Sequence, residues 1–339
     1  MTALTDEIRR WQGEMIGAFG FEPQECPYHI AATGPFWRLR AYGGPKTGPA
    51  LLIVSAPIKR PYIWDLSPST SAVRYCLDWG LRVYLLEWIE DRAKGGLADY
   101  AGRAIGDAVA AVARDSDVTK PILIGHSLGG TFAAIYAALE PETIRGLVLL
   151  AAPLCFEPGT SEFRDHIVAL APASLGETEV VPGSVLSQIS TLASPKIFVW
   201  DRIMDGAVSL ADPRMAEIHA RVERWTFDEF SLPGRLVQDV LQALYRENRF
   251  CKGTLALDNR TLAPACVSVP TLAVVSRADG LAPEDSVRPF IEAMPAGNGR
   301  IILHDGESGV GLQHVAILAG PQIFARVWPQ IMAWVEAQR

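Results

Sequence analysis

Pro121-Ile122-Leu123-Ile124-Gly125-His126-Ser127-Leu128-Gly129-Gly130 joins three kinds of local sequence. Ile122 to Ile124 is a short apolar run that predicts a buried strand. Gly125 and Gly129 stand two places either side of Ser127, and Thr131 to Leu139 predicts a helix. A strand, a tight Gly-x-Ser-x-Gly turn and a helix form the context of a nucleophile elbow. The reason is steric. A serine raised on a sharp turn holds strained backbone, and its neighbours approach other backbone closely; glycine tolerates both. The turn also aims the amide N–H of Leu128, at the helix start, at the place where an oxyanion would form. A Gly-rich turn that only packs a helix on a sheet is the plain alternative. The agreement of motif and context favours the elbow.

Outward from this turn, strands and helices alternate. Phe36 to Tyr42 predicts an early strand, and Ala50 to Ala56 a central one, apolar throughout. Lys59 to Pro68 reads as a polar, Pro-punctuated loop, and Ser69 to Trp79 as a helix stopped by Gly80. Leu81 to Glu87 and Leu147 to Ala151 predict strands around the helix Asp99 to Arg114. The pattern implies βαβ units and a mostly parallel sheet. It lapses after Leu154, where Pro/Gly-rich stretches and amphipathic segments such as Pro213 to Trp225 and Leu232 to Asn248 take over. It returns with a strand at Thr271 to Ser276, a helix at Glu284 to Met294, a strand at Arg300 to His304 and a closing helix at Pro321 to Glu336. The expected organisation is an α/β core in two parts, residues 1–153 and 266–339. Residues 154–265 form a largely helical cap between them.

An elbow serine needs a base, and the base needs an orienter. In an α/β-hydrolase fold they follow in the order serine, acid, histidine. Asp279 lies three residues past the strand Thr271 to Ser276, and His314 lies in the loop after Arg300 to His304. Asp279 could instead only start a turn with Gly280, and Asp285 is its nearest competitor, although it falls in the following helix. His304 rivals His314, but a base needs a loop that swings imidazole over the elbow. His126 is expected to point away from the base, as a pocket or packing residue. The second oxyanion donor should follow the strand Ala50 to Ala56. Pro57 has no N–H, so Ile58 is the candidate beside Leu128.

Bulk properties bound the partners. The 339 residues are 49% hydrophobic and 20% charged, an ordinary globular composition, with a formal net charge of −7. No basic footprint for nucleic acid and no membrane span is expected. The acidic and basic residues of Met1 to Gly20 predict an amphipathic helix, not a secretory leader. Cys26, Cys76, Cys155, Cys251 and Cys266 are scattered and odd in number, so neither a disulfide framework nor a zinc site is expected, and the cytoplasm is the default location. No cofactor or metal is implied. A homodimer is compatible with the chain.

Two longer stretches resemble the polyhydroxyalkanoate synthase family, especially its shorter, two-subunit type. One is Ile53-Val-Ser-Ala-Pro-Ile-Lys-Arg-Pro-Tyr-Ile-Trp-Asp-Leu-Ser-Pro68 with Val83-Tyr-Leu-Leu-Glu-Trp88. The other is Phe227-Asp-Glu-Phe-Ser-Leu-Pro-Gly234 with Leu244-Tyr-Arg-Glu-Asn-Arg249 and Gly253-Thr-Leu255. The resemblance covers most of the chain after the N-terminal helix. It places Asp279 on that family's aspartate and His314-Val-Ala on its histidine segment, and it implies a partner subunit, for which the chain carries no recognisable docking motif. The family's polymerising members carry cysteine at the elbow, where this chain has Ser127. A serine acyl-enzyme is an oxygen ester, close in energy to a polymer ester, so water becomes a plausible acceptor. The expected activity is therefore that of a serine esterase. Its substrates would be small or oligomeric acyl esters, with 3-hydroxyalkanoate esters among them. An acyltransferase or divergent synthase using acyl-CoA is the second expectation, and a non-catalytic lipid- or polymer-binding relative the third.

Overall fold

The computed structural model describes residues 2–45, 48–90, 95–176 and 180–338. Eight strands make the central sheet: β1 (His29–Thr33), β2 (Trp37–Gly43), β3 (Ala50–Val54), β4 (Arg82–Trp88), β5 (Ile122–His126), β6 (Gly146–Leu150), β7 (Thr271–Ser276) and β8 (Gly299–His304). Their order is β1-β2-β4-β3-β5-β6-β7-β8. β3 to β8 run parallel, and β1 and β2 form an antiparallel edge. β3, β4, β5, β6 and β7 are buried at every position, which explains why apolar residues dominate them. Two hydrophobic clusters cover the faces, one around Phe132 and Phe290, the other around Trp64 and Trp328. In the β3–β5 register Val54 lies opposite Gly125, so β3 ends beside the elbow. Parallel strands deliver their C-terminal ends to one edge, where the loops of such sheets form sites.

The expected strands and the elbow helix form, and several helices are more broken than expected. α1 (Thr2–Ile16) is the N-terminal helix. Residues 59–68, expected as a polar loop, are mostly ordered and buried. Pro61–Trp64 make a buried helical turn, and Asp65–Ser67 pair with Thr70–Ser71. Asp65 fixes this turn by accepting from Ser71 Oγ at 2.6 Å and the Cys26 amide at 2.5 Å. α2 (Ala72–Asp78) then starts later, capped by Ser71. α3 (Ile105–Asp115) is preceded by a π-helical turn, and α4 (Leu128–Leu139) leaves the elbow directly. The closing helix is split into Pro321–Arg326 and Trp328–Glu336, because Pro329 offers no N–H to continue the ladder.

The segment between β6 and β7 carries α5 (Glu162–Leu170), α6 (Gly183–Ala193), α7 (Arg202–Ser209) and α8 (Pro213–Thr226). Ser161 and Asp212 cap α5 and α8 through their side chains. The expected helix 232–248 becomes a two-residue strand, Leu232–Pro233, paired with Val180–Val181, then a short helix and a π-helical turn. α1 packs against α6 and α8, with Asp6 accepting from the Ser184 amide and Arg9 bonded to Glu229.

The cysteine expectation is corrected. Cys155 and Cys251 form a disulfide, with Cα atoms 5.2 Å apart and a sequence separation of 96. Cys155 leaves the sheet and Cys251 returns toward it, so both ends of the segment meet at its base. Closing so long a loop constrains the unfolded chain by about 4–5 kcal/mol in the chain-entropy account. The pairing also removes cysteine scatter as an argument for a cytoplasmic location. No helix among the described residues is long and apolar enough to cross a membrane.

Candidate active site

Ser127 stands between β5 and α4 with φ 56° and ψ −134°. A non-glycine residue held at positive φ is strained, and three glycines make the turn possible. A Cβ on Gly125 would lie 2.6 Å from Gly130 Cα. One on Gly129 would lie 2.3 Å from the Val54 carbonyl oxygen, and one on Gly130 2.5 Å from Ala152 Cβ. The Ser127 amide donates to the Leu150 carbonyl at 3.0 Å, which ties the turn to β6.

The structure brings Ser127, His314 and Asp279 together from three loops. Ser127 Oγ donates to His314 Nε2 at 2.8 Å, and His314 Nδ1 donates to Asp279 Oδ2 at 2.7 Å. The other oxygen of Asp279 accepts from the Leu281 and Ala282 amides at 2.9 and 3.3 Å. Burial works against the Asp279 carboxylate. His314 and these two amides outweigh it and hold its pKa below the usual carboxylate value. His304 ends β8 and accepts from the Gly306 amide, and Asp285 lies in a helical turn at Glu284–Ser286. Neither rival is hydrogen-bonded to Ser127.

Leu128 occupies the first position of α4, where an α-helical N–H has no carbonyl of its own to meet. Ile58 sits in the turn after β3, and both residues line the cavity that Ser127 and His314 face. That turn is held from outside the sheet. Its Ile58 carbonyl accepts from the Phe230 amide at 2.8 Å, and the Arg60 amide donates to the Asp228 carbonyl at 3.2 Å. The cavity measures about 540 Å³ and is mostly apolar, with Phe163, Ile167, Val185, Leu186, Phe198 and Leu236 on its walls.

Two supporting residues escaped the sequence. His126 was expected to turn away from the base. Instead its Nε2–H donates to the His314 carbonyl at 2.7 Å, and the two rings lie 4.8 Å apart. Burial, then the neighbouring His314, pushes the His126 pKa down to about 3, so the ring is neutral and fixed in one tautomer. Asp205 on α7 grips the loop that carries His314. Its two oxygens accept from the Gly309 and Gly311 amides, each at 2.7 Å. Both glycines hold positive φ, at 90° and 91°. The Gly309–x–Gly311 spacing before His314 was the available signal, but nothing in sequence pointed to Asp205.

Six parallel strands, a strained serine at the end of β5 and partners after β7 and β8 define the α/β-hydrolase architecture. The alpha/beta hydrolase fold family model matches residues 90–308, and the chain belongs to that family. It is 29% identical over 290 residues to the poly(3-hydroxyalkanoate) polymerase subunit PhaC of Haloferax mediterranei. That match covers 84% of this chain and 58% of the relative, so the chain spans under two thirds of that protein's length. PhaC of Allochromatium vinosum is 28% identical over 277 residues, covering 79% of this chain and 77% of the relative. Among solved structures, the Paleococcus ferrophilus monoacylglycerol lipase superposes with a TM-score of 0.55 at 18% identity, covering 89% of this chain and 99% of the lipase. The resemblance to polyhydroxyalkanoate synthases therefore holds, and family and relatives together indicate an enzyme.

Proposed function

We propose that the chain is a serine hydrolase of carboxylesterase type, acting on acyl esters that include 3-hydroxyalkanoate esters or their oligomers. The observation that carries this is the unbroken hydrogen-bond chain Ser127–His314–Asp279 at the floor of an apolar cavity. Ser127 Oγ attacks the ester carbonyl while His314 Nε2 takes its proton, and Asp279 stabilises the resulting imidazolium. The negative charge that develops on the carbonyl oxygen is met by the Leu128 and Ile58 amides. His314 then protonates the departing alcohol, leaving an acyl-Ser127 ester. Water, deprotonated by His314, attacks that ester, and collapse releases the acid and restores Ser127. Residues 154–265 act as the cap that builds the acyl pocket, between the core parts 1–153 and 266–339. No metal or cofactor enters this scheme.

Acyl transfer is the second reading, favoured by relatives named as polymerase subunits. Acceptor choice separates the two. Incubation with p-nitrophenyl esters and with 3-hydroxybutyryl-CoA is expected to release free acid. Release of CoA with a growing oligoester, and no free acid, would make the transferase reading correct.

A further inference from the structure

The cavity that Ser127 faces has one wall unlike the rest. Among the described residues, Arg9, Lys59, Arg60 and Arg202 line it and no aspartate or glutamate does. Their carboxylate partners stand behind them. Arg9 and Lys59 share Glu229, Arg60 pairs with Asp228, and Arg202 pairs with Glu223. Among the described residues, four cations thus meet three carboxylates at a largely apolar cavity, where charge is poorly screened. Burial pushes the Lys59 ammonium down to about 8; Glu229 opposes this, and Arg9 and Arg202 add to it.

The donors are unequally spent. Lys59 Nζ donates to the Thr226 carbonyl, to Glu229 Oε1 and to Ser187 Oγ, which uses all three of its protons. Arg9 bonds through Nε and Nη2 only, and Arg60 through Nε only. Arg9 Nη1 and both Nη atoms of Arg60 donate no hydrogen bond among the described residues. Arg60 is held in place by the Phe230 ring, 3.9 Å from its guanidinium carbon. Behind Arg60 a second cavity of about 220 Å³ adds Arg10 and Arg224 beside Glu14 and Asp228. There Arg224 Nε is buried with no partner. Guanidinium groups with uncommitted, planar N–H pairs recognise a carboxylate bidentately.

We propose that this wall is a carboxylate subsite, so that the preferred ester carries a free carboxylate that docks on Arg9 and Arg60. This rests on the ester-cleaving reading of Ser127 and narrows its substrate class to acid-terminated esters. The carboxylate has two sources, the alcohol side of the scissile bond, as in an acid-terminated hydroxyalkanoate oligomer, or the far end of the acyl chain.

Binding to the Ser127→Ala protein tests the subsite apart from turnover. Calorimetric titration compares the 3-hydroxybutyrate trimer acid with its methyl ester, and monoethyl adipate with ethyl hexanoate. The expected result is that the acid of one pair binds about tenfold or more tighter than its neutral partner, and the pair that shows it identifies the carboxylate's side. In Arg60→Gln and Arg9→Gln made on that background, with folding checked by circular dichroism, the two affinities should converge. Equal affinities within both pairs, no measurable binding of either acid, or a preference surviving both arginine substitutions would overturn the subsite. Failure of the Ser127 protein to cleave any ester would overturn the catalytic reading instead, and the two failures are read in separate experiments.

Discussion

The sheet and the segment between β6 and β7 are held together by different physics. Every residue of β3, β5 and β6 is buried, and the strands bond to one another along their length. The segment 154–265 has short helices, π-helical turns and many exposed apolar side chains, among them Leu192, Trp200, Ile203, Met204 and Leu210. It is fastened to the core by separate ties: the Cys155–Cys251 disulfide, Ser161 Oγ donating to the Gly280 carbonyl, Glu229 with Lys59, and Asp205 on the Gly309 and Gly311 amides. The contrast assigns separate tasks. In the proposed scheme the sheet fixes where the reacting groups stand and the segment shapes what they meet, while two of its ties reach the loops that carry His314 and Ile58.

The largest effect should come from the sheet side. His314→Ala is expected to lower kcat by about 10³- to 10⁶-fold, because nucleophile, base and orienter act as a unit. Near-normal turnover would move the base to His304 and break the assignment of chemistry to the loops after β7 and β8. A smaller effect should come from the segment side. Asp205→Ala frees two amides of the base loop and should lower kcat on the order of tenfold with little change in KM; Asp205→Asn, which keeps one acceptor oxygen, should recover part of the loss. A change in KM alone would mean that α7 touches the substrate and not the base.

These predictions differ in how far sequence could have led to them. That Ser127, Asp279 and His314 would meet was legible because a parallel sheet delivers the ends of its strands to one edge, and short apolar runs reveal those strands. Glycines at 125 and 129 declared the turn, since the Gly130 backbone leaves no room for a Cβ at 125 and the Val54 carbonyl none at 129. Asp205 and Cys251 were not legible. Each meets its partner across a fold whose helix packing has no fixed register in sequence, and their partners lie 96 or more residues away. His126 is buried and lines the cavity, as expected of a pocket or packing residue, but its bond to the His314 carbonyl was not legible, because that loop comes from the far end of the chain. Residues 59–68 read as a polar loop because sequence does not show that a polar group such as the Asp65 carboxylate is satisfied inside the protein.

The smallest effect is one of acidity. His126 is buried neutral, with its pKa pushed down to about 3 against about 6.5 in an unfolded chain. Below about pH 6.5 the unfolded state binds a proton that the folded state refuses. Its contribution to stability is complete above that pH and falls toward pH 3, by at most about 1.4 kcal/mol per pH unit. Urea midpoints across this range should fall less steeply in His126→Gln. An unchanged slope would mean that this ring does not stay neutral in the fold.

The central claim is that Ser127 is an activated nucleophile, and covalent labelling tests it most directly. Intact mass after treatment with a fluorophosphonate should show one adduct on the wild-type protein, none on Ser127→Ala and far slower labelling of His314→Ala. A wild-type protein that gains no adduct while its pocket still binds ester, or a Ser127→Ala protein that labels as fast as wild type, would contradict it.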